Sequence, residues 1–409
     1  GDFIYEDIGG GHARITGYGG AGGMVVIPGQ LGGMTVTVIG GSAFRDKGLT
    51  GVALPDSLTT IGEDAFRSNQ LSELKLPDSV TTIEEQAFQS NQIADLTLPD
   101  GITTIGVKAF KYNQLETLVL PDSITMIDEG AFESNQLSKI KLPRNLTSIG
   151  VEAFRDNQLV ELTIPDNITT IEWNAFLGNP TLTQLTISDG VTTIGANAFN
   201  GAGLTRLIIP GSVNVIDPLA FANNPLQEVV ILNPDIDLNG DDVFDMHPPG
   251  MVLYGTVGSA VQTYAVNNGI PFHALTGGLA KLNLDIPGLR FDPLERTFHL
   301  LTNAPSVTVT ATPLIPSSEI QVNHVTVPEG MSSAPVYLTE GTQTITVDVT
   351  APDDSMEQYR IVLAVDHTAP SISLSASPTG STHGPVTVTA DVYGAAGGAD
   401  NLKWADGAR

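Results

Sequence analysis

Asp235, Asp237, Asn239 and Asp241, in the stretch DIDLNGDDVFDM, stand at the spacing of a calcium loop's first ligands, with Gly240 at the sharp turn. Hard oxygen ligands at alternate positions suit calcium, but such a loop closes with a bidentate Glu at its twelfth position, where this chain has Met246. Ile236, Leu238 and Phe244 are also in phase with Val213, Val215 and Phe221, so a repeat turn is the preferred reading and a calcium site the secondary one. The seven histidines, at 12, 247, 273, 299, 324, 367 and 383, are scattered without ligand spacing. No cofactor is expected. The run GYGGAG (Gly17, Gly19, Gly22) fits the dinucleotide fingerprint, which requires a helix at the pyrophosphate. Here MVVIPG follows and reads as a strand, so a hairpin turn is expected instead.

Other chemistry is sparse. Neither a G-x-S-x-G elbow nor a Walker loop occurs, and paired carboxylates such as Glu84 and Glu85 fall where a solvated turn is expected. NLT at 145 and NIT at 167 match the glycosylation sequon but fall inside the repeat. Trp173 and Tyr112 are expected to be exposed aromatics, able to stack on a sugar. No catalytic constellation emerges, and the chain is expected not to be an enzyme.

The elements that must carry these residues follow from composition and period. The chain has 409 residues, 41% of them apolar, enough for several domains. Its 45 acidic residues against 18 basic ones give a formal net charge of -27. Such a surface repels phosphate backbones and anionic lipid, so neither nucleic acid nor a membrane surface is an expected partner. The absence of cysteine excludes disulfides and thiol chemistry without deciding the compartment. No apolar run is long enough to span a membrane. The first residue is Gly1 rather than Met, which we read as a trimmed or mature fragment, with a removed export signal expected.

An Ala-Phe pair recurs with a period of 22: Phe44, Phe66, Phe88, Phe110, Phe132, Phe154 and Phe176, then Phe199, Phe221 and Phe244 with one-residue insertions that leave the phase intact. The unit reads L-x-x-L-x-L-P-D-x-I-T-T-I-x-x-x-A-F-x-x-N-Q. Leu71, Leu74 and Leu76 alternate as a short strand with one buried face, and Pro77 ends it because proline cannot donate to a ladder. Val80, Ile83, Ala87 and Phe88 return inward. One unit buries too little to offset the ordering of its own chain, so the units must stack. Asn69, Asn91, Asn113, Asn135 and Asn157, in the recurring N-Q, are expected to satisfy backbone groups at the same corner of every coil.

These units resemble the BspA-like class of leucine-rich repeat, with its L-x-x-L-x-L-P strand and later I-x-x-x-A-F. The resemblance implies a mainly β fold, a right-handed leucine-rich-repeat solenoid. Residues 1–45 resemble an N-terminal capping unit, 46–250 the repeats and 251–276 a C-terminal cap. In that cap Ser259 can start a short helix with Ala260, Val261, Tyr264 and Ala265 on one face, and Gly269 can end it. From Leu279 the period gives way to Val/Thr-rich alternation, as in TITVDVT, where Ile345, Val347 and Val349 share a face. Residues 277–366 resemble a bacterial cadherin-like, Ig-like β-sandwich, with Phe298 where that family usually has Tyr. Residues 367–409 resemble a linker and the start of a bacterial Ig-like domain, so the natural chain is expected to continue past Arg409.

In each coil the strand alternates, and its outward positions are Glu73 and Lys75, Asp95 and Thr97, Thr117 and Val119, Lys139 and Lys141, Glu161 and Thr163, Gln184 and Thr186, and Arg206 and Ile208. They form a ladder of about 4.8 Å per rung, varied in chemistry over a constant core. Solenoids make extended binding surfaces this way. The resemblance implies a non-enzymatic, monomeric adhesion module of a Gram-positive surface protein, secreted or cell-wall attached. Its partner would be a protein or glycan of a host or wall surface. Two alternatives stay open: the accessory region of a large secreted polysaccharide-degrading enzyme, and a structural surface-layer stalk.

Overall fold

A computed structural model describes residues 2–240 and 242–367, together with the backbone of 371–377 and 387–393. The chain divides into two compact units, Gly1–Ala274 and Leu275–Arg409. Asp241 and most of 367–409, on which the calcium and Ig-like readings partly rested, lie outside the described residues.

The first unit is a solenoid. The coils lay short strands against the equivalent strand of a neighbouring coil, parallel and in repeat register, in sheet segments of two to four strands: Glu73 faces Asp95, and Thr117 faces Lys139. The Pro-Asp corner closes with a turn in which the Pro77 carbonyl accepts from Val80 N at 3.1 Å. A two-residue strand follows in a second parallel sheet, where Thr60 faces Thr82 and Thr82 faces Thr104.

The Ala-Phe turn joins the coils most continuously. Phe44 N donates to Ala65 O, Phe66 N to Ala87 O, and so on without a gap to Phe221 N on Val243 O. From Phe44 to Phe221, the residues two before and two after each repeat phenylalanine sit in the left-handed region, as at Asp64 (φ 56) and Ser68 (φ 58), or Lys108 (φ 55) and Tyr112 (φ 58). Those positions favour Gly, Asn and Asp, which fill many of them. The phenyl rings stack from Phe44/Phe66, with centroids 5.0 Å apart and planes 8° apart, to Phe221/Phe244 at 5.9 Å and 19°. Phe3 and Tyr18 close one end of this column at 6.3 and 5.2 Å from Phe44, and Tyr264 meets Phe244 edge-on at the other.

The asparagines act as expected. Asn69 Nδ2 donates to Phe44 O (2.8 Å) and Phe66 O (2.9 Å), while its Oδ1 accepts from Lys47 N and Leu49 N at 3.1 and 2.9 Å. Asn91, Asn113, Asn135 and Asn157 repeat the bridge, and Asn179 and Asn224 extend it beyond the expected set. Ala202 replaces the asparagine in one coil. The freed Leu182 N is taken there by the Asn179 carbonyl, at 3.0 Å, across the inserted Pro180 turn.

The cap helix is Ala260–Asn267, with Ser259 Oγ accepting from Gln262 N. Val261, Tyr264 and Ala265 are buried, but Ala260 is exposed, so the expected face is narrower by one residue. A second correction concerns GYGGAG. It is not a hairpin turn: the strands on either side, His12–Tyr18 and Gly23–Val26, pair in different sheets, so the glycines turn a solenoid corner. The hairpin lies earlier, at Gly9–Gly11, between Phe3–Gly9 and His12–Tyr18.

In the second unit, Thr297–Thr302, Met356–Val365, Gly341–Thr350, Glu319–Val322 and Val325–Val327 form one sheet in that order. Leu279–Leu284 pairs with Val309–Pro313. Ile345, Val347 and Val349 are buried as the alternation requires, around Tyr359, whose hydroxyl accepts from Leu279 N at 2.9 Å. Ser371–Ser377 and Thr387–Tyr393 pair antiparallel.

Phe110→Ala removes a fully buried ring stacked on Phe88 and Phe132, at an expected cost of roughly 3–5 kcal/mol. Thermal unfolding checks this. A melting temperature equal to the parent's would show that the ring column does not hold the coils.

Candidate functional site

The strand sheet brings the outward ladder together on one exposed surface. Glu73, Lys75, Asp95, Thr97, Thr117, Val119, Lys139, Lys141, Glu161, Thr163, Gln184 and Thr186 are all exposed, and Arg206 and Ile208 are half-buried. Because the strands are parallel and in register, equivalent side chains form columns along the solenoid.

The register also extends the surface past the residues named from sequence. Met24 and Val26, exposed on Gly23–Val26, continue it at the N-terminal end through the pairing with Leu49–Ala53. Glu228, Tyr254 and His273 continue it at the other end, with Tyr254 and His273 edge to face at 5.3 Å. Glu228 holds Arg206 at 3.0 Å, and burial raises the Tyr254 phenol above its ordinary range. The capping strands depart from the repeat consensus, which hid these positions. Only the 22-residue phase pointed to them.

The strand is followed by the Pro-Asp corner, and its fourth-position side chain belongs to the same surface. An open groove of about 610 Å³ is lined by Glu73, Lys75, Asp78, Asp95, Thr97 and Asp100, with Leu74, Leu76, Leu98 and Pro99 beneath. Asp78 and Asp100 are the corner aspartates of their coils, and Asp56, Asp122 and Asp166 repeat them. In the coil of Lys139 and Lys141 that corner is Arg144. All three cations are exposed, and none makes an ion pair among the described residues. The strand alternation placed the two lysines on the ladder but not the arginine, although the Asp-to-Arg exchange within the L-P-D signature was there to be seen.

The opposite, turn-side edge behaves differently. Arg45 and Arg67 share Asp64 at 2.8 and 3.1 Å, Lys108 meets Glu129 at 2.8 Å, and Arg155 meets Glu152 at 2.8 Å. The hydrogen bond to Glu129 holds the Lys108 ammonium above its ordinary range. Lys111 reaches Glu133 at 2.7 Å, the two side chains only 13% and 5% exposed, and lies over the Tyr112 ring at 4.8 Å. Lys108 and Lys111 are therefore held in ion pairs rather than left to solvent.

The remaining candidates are separated. Glu84 accepts from Glu63 N, and Glu85 accepts from Gln86 Nε2, both on the turn. Trp173 and Tyr112 are half-exposed to solvent but sit in different columns, three residues before and two after their phenylalanines. Asn145 and Asn167 donate to the backbone of the preceding corner. Asp237 occupies the second sheet opposite Val215, and Asn239 Nδ2 donates to Asp217 Oδ1 at 3.2 Å, so Asp235, Asp237 and Asn239 follow the coil path; Asp241 is not described. Among the described residues no helix is long and apolar enough to cross a membrane.

Stacked coils with a constant interior and a variable strand surface define a leucine-rich-repeat solenoid. The BspA type leucine rich repeat region matches in 6 copies over residues 33–137 and 125–247, and the chain belongs to that family. The cadherin-like beta sandwich domain matches residues 279–364. Among solved structures, a leucine-rich repeat protein from Bacteroides ovatus is 21% identical, with TM-score 0.54 over 67% of this chain and 76% of that one. A leucine rich cell surface protein from Faecalibacterium prausnitzii is 22% identical over 66% of this chain and 96% of its own, with TM-score 0.35. The pneumococcal vaccine antigen PcpA is 16% identical over the same shares, with TM-score 0.36. No curated protein matches the chain.

Two outcomes follow from these placements. Lys111→Glu sets a second carboxylate against nearly buried Glu133 and is expected to destabilise the solenoid by roughly 3–5 kcal/mol, read by chemical denaturation. An unchanged midpoint would show the pair to be solvated. Calcium chelation is expected to leave the melting temperature in place. A drop of more than about 5 °C would assign calcium a structural role, with Asp235, Asp237, Asn239 and Asp241 the first residues to test.

Proposed function

We propose that this chain is a non-enzymatic binding module of an extracellular bacterial surface protein, secreted or wall-attached, that holds a protein or glycan ligand on its strand face. The observation that carries this is the contrast between its two edges. On the turn side most of the basic side chains are held in ion pairs such as Arg45–Asp64–Arg67 and Lys111–Glu133. On the strand side the exposed groups vary from coil to coil over an unvarying core, and the groove opens there. Surface that varies while its scaffold does not is what a solenoid offers a partner. The sandwich serves as a spacer, and the module works as a monomer.

The absence of cysteine makes the test clean. Thr163→Cys on the strand face and Glu85→Cys on the turn are each coupled to a polyethylene-glycol maleimide. Binding to a panel of immobilised extracellular-matrix proteins and cell-wall glycans is then measured. The Thr163 conjugate is expected to lose the binding shown by the unlabelled chain, and the Glu85 conjugate to keep it. Equal binding by both conjugates, or no binding to any panel member, would overturn the reading.

A further inference from the structure

We propose that the strand face between Glu73 and Arg144 takes a protein segment carrying both signs of charge. Its acidic groups would lie on the Lys139–Lys141–Arg144 rung and its basic groups over the groove carboxylates. This rests on the strand-face reading above and names the chemistry of the partner.

The argument is one of charge complementarity. Lys139 and Lys141 project from one strand, and Arg144 stands at the corner that follows, where Asp122 and Asp166 stand on the rungs to either side. The three cations therefore run across the solenoid in a strip one rung wide. Unlike Lys108 and Lys111 on the turn side, they make no ion pair among the described residues. A uniformly anionic polymer laid along the axis would leave the strip within one rung, meeting Glu161 and Asp166 on one side and Asp122 on the other. Beyond Asp122 lies the groove, with Glu73, Asp78, Asp95 and Asp100 against the single Lys75. A uniformly cationic segment would suit the groove and then cross the basic strip. Only a chain that changes sign satisfies both.

The spacing suits an extended peptide. From the rung of Asp95 to that of Lys139 is two steps of about 4.8 Å, or about 10 Å, which about three extended residues span. The rung between them carries Thr117 and Val119, and Val119 is 68% exposed, an apolar contact at the change of sign.

The probe is a fluorescent peptide with an Asp block and a Lys block joined by a Val-containing spacer of about three residues. It is titrated against the whole chain by anisotropy, beside an all-Asp peptide, an all-Lys peptide and heparin. The mixed peptide is expected to bind most tightly and to be released by salt. Lys139→Gln with Lys141→Gln and Arg144→Gln is expected to weaken it about tenfold without shifting the melting temperature. Thr60→Glu with Thr104→Glu and Ser148→Glu, which changes net charge equally on the second sheet, is expected to bind like the parent. Tighter binding of heparin or either uniform peptide would overturn the proposal, as would an unaffected triple-Gln variant. If the Thr163 conjugate blocks the mixed peptide in that case, the strand-face reading survives. If the conjugate binds like the parent, that reading falls with it.

Discussion

The structure depends on the backbone hydrogen bonds that pass from each Ala-Phe turn to the next. In a sheet, coil-to-coil pairing comes from extended strands, but here the strands from Thr60 to Ile194 are two or three residues long and the strand-face sheet runs in short segments. The turn ladder has no such interruption. It places a left-handed residue on either side of each phenylalanine from Phe44 to Phe221, and demands a ring that can stack on its neighbours and a partner for the phenylalanine carbonyl. The asparagine three residues later supplies that partner and at the same time accepts the backbone N–H of the returning strand. An apolar residue there would strand buried polar groups unless, as at Ala202, an inserted turn takes them up.

This constraint explains how function is distributed. The interior must be nearly identical in each coil, because a ring or an asparagine out of place breaks two interfaces at once. The turn edge is crowded, and its charged side chains lie close enough to pair between coils, as Lys108 does with Glu129 and Lys111 with Glu133. The strand edge carries no such obligation. Its side chains stand in columns about 4.8 Å apart with nothing packed over most of them, so their charge can be set independently in each coil. The acidic groove and the basic strip are two such settings on one scaffold.

Much of this was legible in the sequence. The 22-residue period determines the stacking, since no single unit can bury its own apolar face, and the phase assigns Phe110, Asn113 and Leu118 inward and Thr117 and Val119 outward. The alternation of Ile345, Val347 and Val349 likewise determined the buried face of the sandwich strand. What the tertiary structure alone decided concerns groups that meet across coils. Lys111 and Glu133 are 22 residues apart, and only the stacking of the coils brings them together. The glycines of GYGGAG read as a hairpin because local chemistry cannot tell a turn between paired strands from a corner between two sheets. Arg144 was visible as a letter, but its place beside Lys139 and Lys141 follows from where the corner leads the chain. Local periodicity is set by the backbone geometry of one unit, whereas charge pairing is set by distances between units, which exist only once they have stacked.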